Sequence, residues 1–161
     1  MADKEDALNG LRVLLQATAV TPLDGLNAVY VQSLDYQAVA LQYPFCLLSY
    51  AEGQGNPYTK RTLGPGFEHS WVARAFFALG TGDIGYPSPL FGQTQKAARG
   101  YALGLLELLQ NDNTKWGGTI STIGSPQFYM RDNFTYWEWN GQPMLGLLCE
   151  IPVMQLVQIT S

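Results

Sequence analysis

Charge is what this chain has least of. Only 14% of its 161 residues are Asp, Glu, Lys or Arg, against about 25% in an ordinary soluble domain. So few charges leave apolar surface that monomers rarely tolerate, which predicts a protein that covers part of itself with other chains. Histidine is scarcer still: with His69 alone the chain cannot form a two-histidine metal site. Cys46 and Cys149 are too far apart for a zinc motif. Both lie in apolar runs (44–48 and 145–151) and read as reduced core thiols. The nine basic residues are scattered and the net charge is −4, which argues against a groove that neutralises nucleic-acid phosphates. No apolar run approaches the roughly 20 residues of a membrane span. The acidic start, Met1-Ala2-Asp3-Lys4-Glu5-Asp6, is unlike a secretory leader, so the expectation is a soluble protein made in the cytoplasm, with no membrane partner. Asn133-Phe134-Thr135 spells a glycosylation sequon that such a protein would not use.

What is present is an alternation of element types in a chain of single-domain length, 1–161. Leu8, Leu11 and Leu15 recur at helical spacing behind an acidic first turn, predicting an amphipathic helix over 4–17 that ends before Thr21-Pro22. β-rich segments follow at 28–34 and 38–50, with Pro44 at a bulge or edge. Residues 52–66 hold four glycines and two prolines and read as a long flexible loop or hairpin arm. From Phe67 to Leu79 strict alternation sets His69, Trp71, Ala73, Ala75, Phe77 and Leu79 on one face and Glu68, Ser70, Val72, Arg74 and Phe76 on the other. A second helix begins at Ser88-Pro89, carries the stripe Ala98, Tyr101, Leu105, Leu108 and Leu109, and stops at Asn111-Asp112-Asn113. β-like stretches at 117–123, 128–130 and 134–139 lead to Asn140-Gly141, a hairpin turn signal. An apolar strand over 144–156 follows, with Pro152 suggesting a bend or an edge. The sum is an α+β fold: a largely antiparallel β-sheet with two α-helices packed on it and a long hairpin or loop arm in the middle.

Candidate chemistry is sparse. Gly80-Thr81-Gly82-Asp83-Ile84-Gly85 spells a dinucleotide fingerprint, but Tyr86-Pro87-Ser88-Pro89 intervenes before the helix and Glu107 falls inside it, so it reads as a turn. No Gly-x-Ser-x-Gly elbow occurs, and neither cysteine has the electropositive setting of a nucleophile. Asp132 and Glu138 flank an aromatic run that could serve a glycosidase, although Trp137 and Trp139 also suit a hairpin stabilised by cross-strand aromatic pairs. An enzyme would have to combine His69 with Glu138 or Asp132. The reading is a non-enzyme with no metal and no cofactor.

The arrangement resembles small tail terminator proteins of long-tailed bacteriophages. The likeness lies in the acidic amphipathic helix, the apolar Leu41-Gln42-Tyr43-Pro44-Phe45 strand, the arm-like loop, the Trp-containing strand, and the 136–146 hairpin (Tyr-Trp-Glu-Trp-Asn-Gly-Gln-Pro-Met-Leu-Gly) that leads into an apolar strand. That resemblance implies an α+β virion protein of the tail or neck. It would form a ring of six subunits that caps the tail tube, ends its polymerisation and offers a joining surface to the head-tail connector protein. DNA would pass through the lumen without specific binding. This chain departs from the pattern in its longer central loop and low charge. Under that reading Tyr58, Lys60 and Arg61 of the arm, with Trp137 and Trp139, are the candidate contacts with a neighbouring subunit or the tail tube protein. Trp137 and Trp139 could equally belong to the core. The alternatives are a head-tail connector, stopper or other neck protein, and a small ligand-binding protein or hydrolase built on His69.

Overall fold

The computed structural model describes residues 3–32, 43–50, 58–61, 66–81, 89–129, 135–139 and 142–158. The expected strand positions 33–34 and 38–42, parts of the 52–66 arm, Asp132 and the Asn140-Gly141 turn lie outside those residues. Helix α1 (Lys4–Ala17) starts where its sequence says it should. The Asp3 carboxylate accepts from the Asp6 N–H at 2.8 Å, and the Asp6 carboxylate accepts from the Asp3 N–H at 3.0 Å. This reciprocal cap satisfies two of the free N–H groups of the first turn. Leu8, Leu11 and Leu15 are buried, each contributing about 1.5–3 kcal/mol by leaving water. Helix α2 (Pro89–Asn111) buries the predicted stripe from Ala98 to Leu109.

Both helices lie on one face of an eight-stranded sheet formed by β1 (Ala28–Val31), β2 (Phe45–Tyr50), β3 (Tyr58–Arg61), β4 (Gly66–Thr81), β5 (Thr122–Ile123), β6 (Gln127–Tyr129), β7 (Thr135–Trp139) and β8 (Gln142–Gln158). The long strands β4 and β8 pair antiparallel along their length, from Gly66 opposite Gln158 to Thr81 opposite Met144. β2 and β3 lie end to end along the outer side of β4, and β5, β6 and β7 along the outer side of β8. β1 flanks β2 in parallel. The sheet is thus mixed, with one parallel pair where antiparallel pairing predominates. Part of the predicted arm is the strand β3, which forms a hairpin with the start of β4.

The alternation expected of 67–79 is seen where side chains are described. Trp71, Ala73, Ala75 and Phe77 join the core under the helices, together with Cys46, Leu48, Leu147, Cys149, Ile151 and Val153. Phe77 stacks on Tyr101 of α2 with ring centroids 5.3 Å apart. The opposite face carries a second buried cluster of Phe45, Leu47, Phe76, Ala78, Met144 and Leu148. Near its end β4 bulges between Ala78 and Gly80, and the backbones close up there. A Cβ on Gly146 would stand 1.8 Å from the Phe77 carbonyl oxygen, so only glycine fits this approach. Pro152 sits within β8 rather than at its end. Its carbonyl accepts from Gly124 N–H at 2.7 Å, so its missing donor faces the break between β5 and β6, where no ladder bond is lost.

One expectation holds only in part. Of the β-like stretch expected over 117–123, Thr122–Ile123 is a strand, whereas Gly117 and Gly118 belong with Lys115 and Trp116 to a left-handed turn. Lys115, Trp116, Gly117 and Gly118 have φ of 53°, 56°, 70° and 81°. Two non-glycine residues in this region cost about 1–2 kcal/mol each. The Asp112 carboxylate offsets that cost by accepting from the N–H groups of Thr114 and Trp116, both at 2.9 Å, and from the Thr114 hydroxyl at 2.5 Å. Full burial of the Trp116 side chain holds the turn in place.

Candidate interaction surfaces

The residues singled out for contacts lie on two outer strands. Tyr58, Lys60 and Arg61 are on β3, with Lys60 opposite Glu68 and Arg61 opposite Phe67. Trp137 and Trp139 are on β7, opposite Met144 and Gln142. β3 flanks β4 near the end where β4 meets Gln155–Gln158, and β7 flanks β8 at its other end. The two strands therefore occupy opposite edges and opposite ends of the sheet. Among the described residues, neither has a second strand on its outer side. Strand alternation sets Trp137, Trp139 and Lys60 at positions on the face opposite the helices, and Glu138 and Arg61 at positions on the helix face.

The same register separates the residues an enzyme would need together. His69 pairs with Gln155 and Glu138 with Pro143. Those β8 partners are twelve positions apart, roughly 40 Å along the strand. Asp132 lies outside the described residues. Both thiols are buried. Burial, reinforced by Glu150, pushes the Cys149 thiol up to about 12. Burial, with Cys149 nearby, raises that of Cys46 well above the ordinary thiol range. Neither is poised as a nucleophile. Among the described residues no group of three or more His, Cys, Asp or Glu side chains could hold a metal, and no helix is long and apolar enough to cross a membrane.

Two features escaped the sequence reading. On the face opposite the helices, register aligns Ser49, Arg74, Glu150 and Gln127 in one row across four strands. Arg74 Nε approaches the Glu150 carboxylate at 3.4 Å within it. The row separates the buried cluster at one end of this face from exposed Pro152 and half-buried Met154 at the other. Second, α1 and the left-handed turn enclose a groove of about 670 Å³ with Asp6, Asn9, Val13 and Leu14 on one wall and Thr114 and Thr119 on the other. The contact between these walls is close: a Cβ on Gly10 would stand 2.2 Å from the Trp116 carbonyl oxygen. The Trp116 Nε1 is buried without a hydrogen-bond partner. The pair Gly117-Gly118 after a tryptophan was the available signal for positive φ.

Comparison with known proteins finds no family model that matches the chain and no curated protein that does.

Proposed function

We propose that this protein is a ring-forming structural subunit of a phage tail, with six copies capping the tail tube, ending its growth and presenting the surface on which the head-tail connector docks. One observation carries the reading. The two strands singled out for contacts, β3 and β7, are outer strands on opposite edges of the sheet. A closed ring needs two different, mutually fitting patches on each subunit, because every interface joins unlike surfaces. The low charge of the chain, 14%, suits a protein that covers surface by assembling. Tryptophan and tyrosine on those strands suit interface anchors. The organisation shared with tail terminators supplies the biological setting, and the protein then resides in the virion at the tail-neck junction.

The test is light scattering across a concentration series, followed by negative-stain imaging and by growth of tail tubes with and without the protein. A species of about six subunits with a central hole, which halts tube growth, is expected. A protein that stays monomeric both in solution and beside tube ends, and leaves tube length unaltered, overturns the reading.

A further inference from the structure

We infer that neighbouring copies join by strand addition, β3 of one copy pairing antiparallel with β7 of the next, with Arg61 opposite Glu138 and Lys60 opposite Trp139. This pairing rests on the ring reading above and names the surfaces that carry it. The observations are the diagonal placement of β3 and β7, the direction of each strand, and the charge each carries.

Direction comes first. β3 runs antiparallel to β4, β4 to β8, and β8 to β7. β3 and β7 therefore point in opposite senses. When a second copy continues the sheet head to tail, its β3 meets the first copy's β7 antiparallel, and both copies keep their helices on the same face. Outer strands of this kind are templates for another chain through their main-chain N–H and C=O groups.

Register and charge follow. β3 contributes Lys60 and Arg61 and carries no acid, whereas β7 contributes Glu138 and carries no base. Alternation places Arg61 and Glu138 at positions on the helix face, so antiparallel pairing can set these opposite charges directly across from each other. The same register puts Lys60 at the position across from Trp139 on the other face. One-residue slippage would transfer each partner to the wrong face, and a two-residue shift would keep the faces but take Glu138 away from Arg61, so face and charge together select the register that joins the ends of the two strands through the pairs 61–138 and 60–139. Because β3 and β7 sit at diagonal corners, each added copy also steps along the strand direction, and the strands must tilt from the ring axis.

The pairing is tested with two variants, K60E/R61E and E138K, each checked by circular dichroism for unchanged folding and melting. Each variant alone sets like charges across the joint and should weaken assembly roughly tenfold or more in light scattering. An equimolar mixture restores opposite charge at every joint of an alternating ring, so it should regain wild-type mass. The triple variant K60E/R61E/E138K should do the same within one chain. If the wild type assembles but the variants assemble equally well, or the mixture and the triple variant stay dissociated, the β3–β7 joint is overturned while the ring stands. If the wild type never assembles, the ring reading fails and the joint with it.

Discussion

The indole N–H of Trp71 donates to the side-chain oxygen of Gln155 at 2.8 Å, inside the core. The Gln155 amide nitrogen in turn donates to the carbonyls of Thr119 at 2.9 Å and Asp3 at 3.1 Å. With Gln155 only 2% exposed, one buried amide ties β4, the segment before β5 and the cap of α1 to β8. Gln155→Leu should cost about 3 kcal/mol, since it strands the buried Trp71 N–H and the Thr119 carbonyl, while the Asp3 carbonyl keeps the Ala7 N–H. Trp71→Phe combined with Gln155→Leu should cost less than the two single changes summed, because the shared bond is then lost only once. Chemical denaturation of the four proteins measures this coupling.

Gly146→Ala should destabilise by about 3 kcal/mol, since the added methyl carbon meets the Phe77 carbonyl and the two longest strands must separate. For a chain of this length that is a fall in Tm of roughly 6–12 °C, read by calorimetry. A control, Gly25→Ala, adds its methyl where nothing lies within 4 Å and should change Tm little.

Asp112 makes stability depend on pH. Burial by itself would raise its carboxyl, but hydrogen bonds from the Thr114 hydroxyl and from the N–H groups of Trp116 and Thr114, with the charge of Lys115, outweigh burial and hold it below the usual 3.8. A carboxyl depressed in the folded state stabilises fully above its unfolded pKa, and the contribution disappears as pH falls through the lower folded value. The wild type should therefore lose stability from about pH 4 downward. Asp112→Ala should be about 1–2 kcal/mol less stable at pH 7, and the gap should narrow over that acid range in urea titrations.

Cys46 and Cys149 should resist alkylation by iodoacetamide at pH 8 in the folded protein, because burial keeps both as thiols. Mass spectrometry should find no adduct before denaturation and two after it.

The elements that sequence revealed are those whose pattern is long enough to show a period. Leu8, Leu11 and Leu15 mark α1, the stripe from Ala98 to Leu109 marks α2, and alternation from Trp71 to Phe77 marks β4. β5, β6 and β7 span two, three and five residues; the β-like stretches expected at 117–123, 128–130 and 134–139 overlap them, but segments so short carry too little pattern to set their bounds. Their strand character comes from β8, which supplies every ladder partner. β3 falls within the segment read as a loop or hairpin arm, and the glycines and prolines around it left its own strand pattern too short to mark its bounds. The left-handed turn was hidden because nothing in the preferences of Lys115 or Trp116 favours positive φ. The carboxylate of Asp112 and the burial of one indole impose it. As for the candidate surfaces, Lys60-Arg61 and the paired tryptophans were visible as residues. Their position at opposite corners depends on register, which no local pattern contains.

The central position of β8 also governs the order of folding. Every strand that pairs with it, β4, β5, β6 and β7, precedes it in the chain. During synthesis β4 waits on one side and three short strands on the other, all without their main partner until residues 142–158 emerge. Such distant pairings close slowly, and apolar strands left waiting are prone to aggregate. The sheet is therefore finished in a single late event, and both edges that would meet neighbours acquire their final spacing only then. A copy that has not completed its own fold has no correctly spaced pair of edges to offer, so under the proposed joint assembly would be timed by folding.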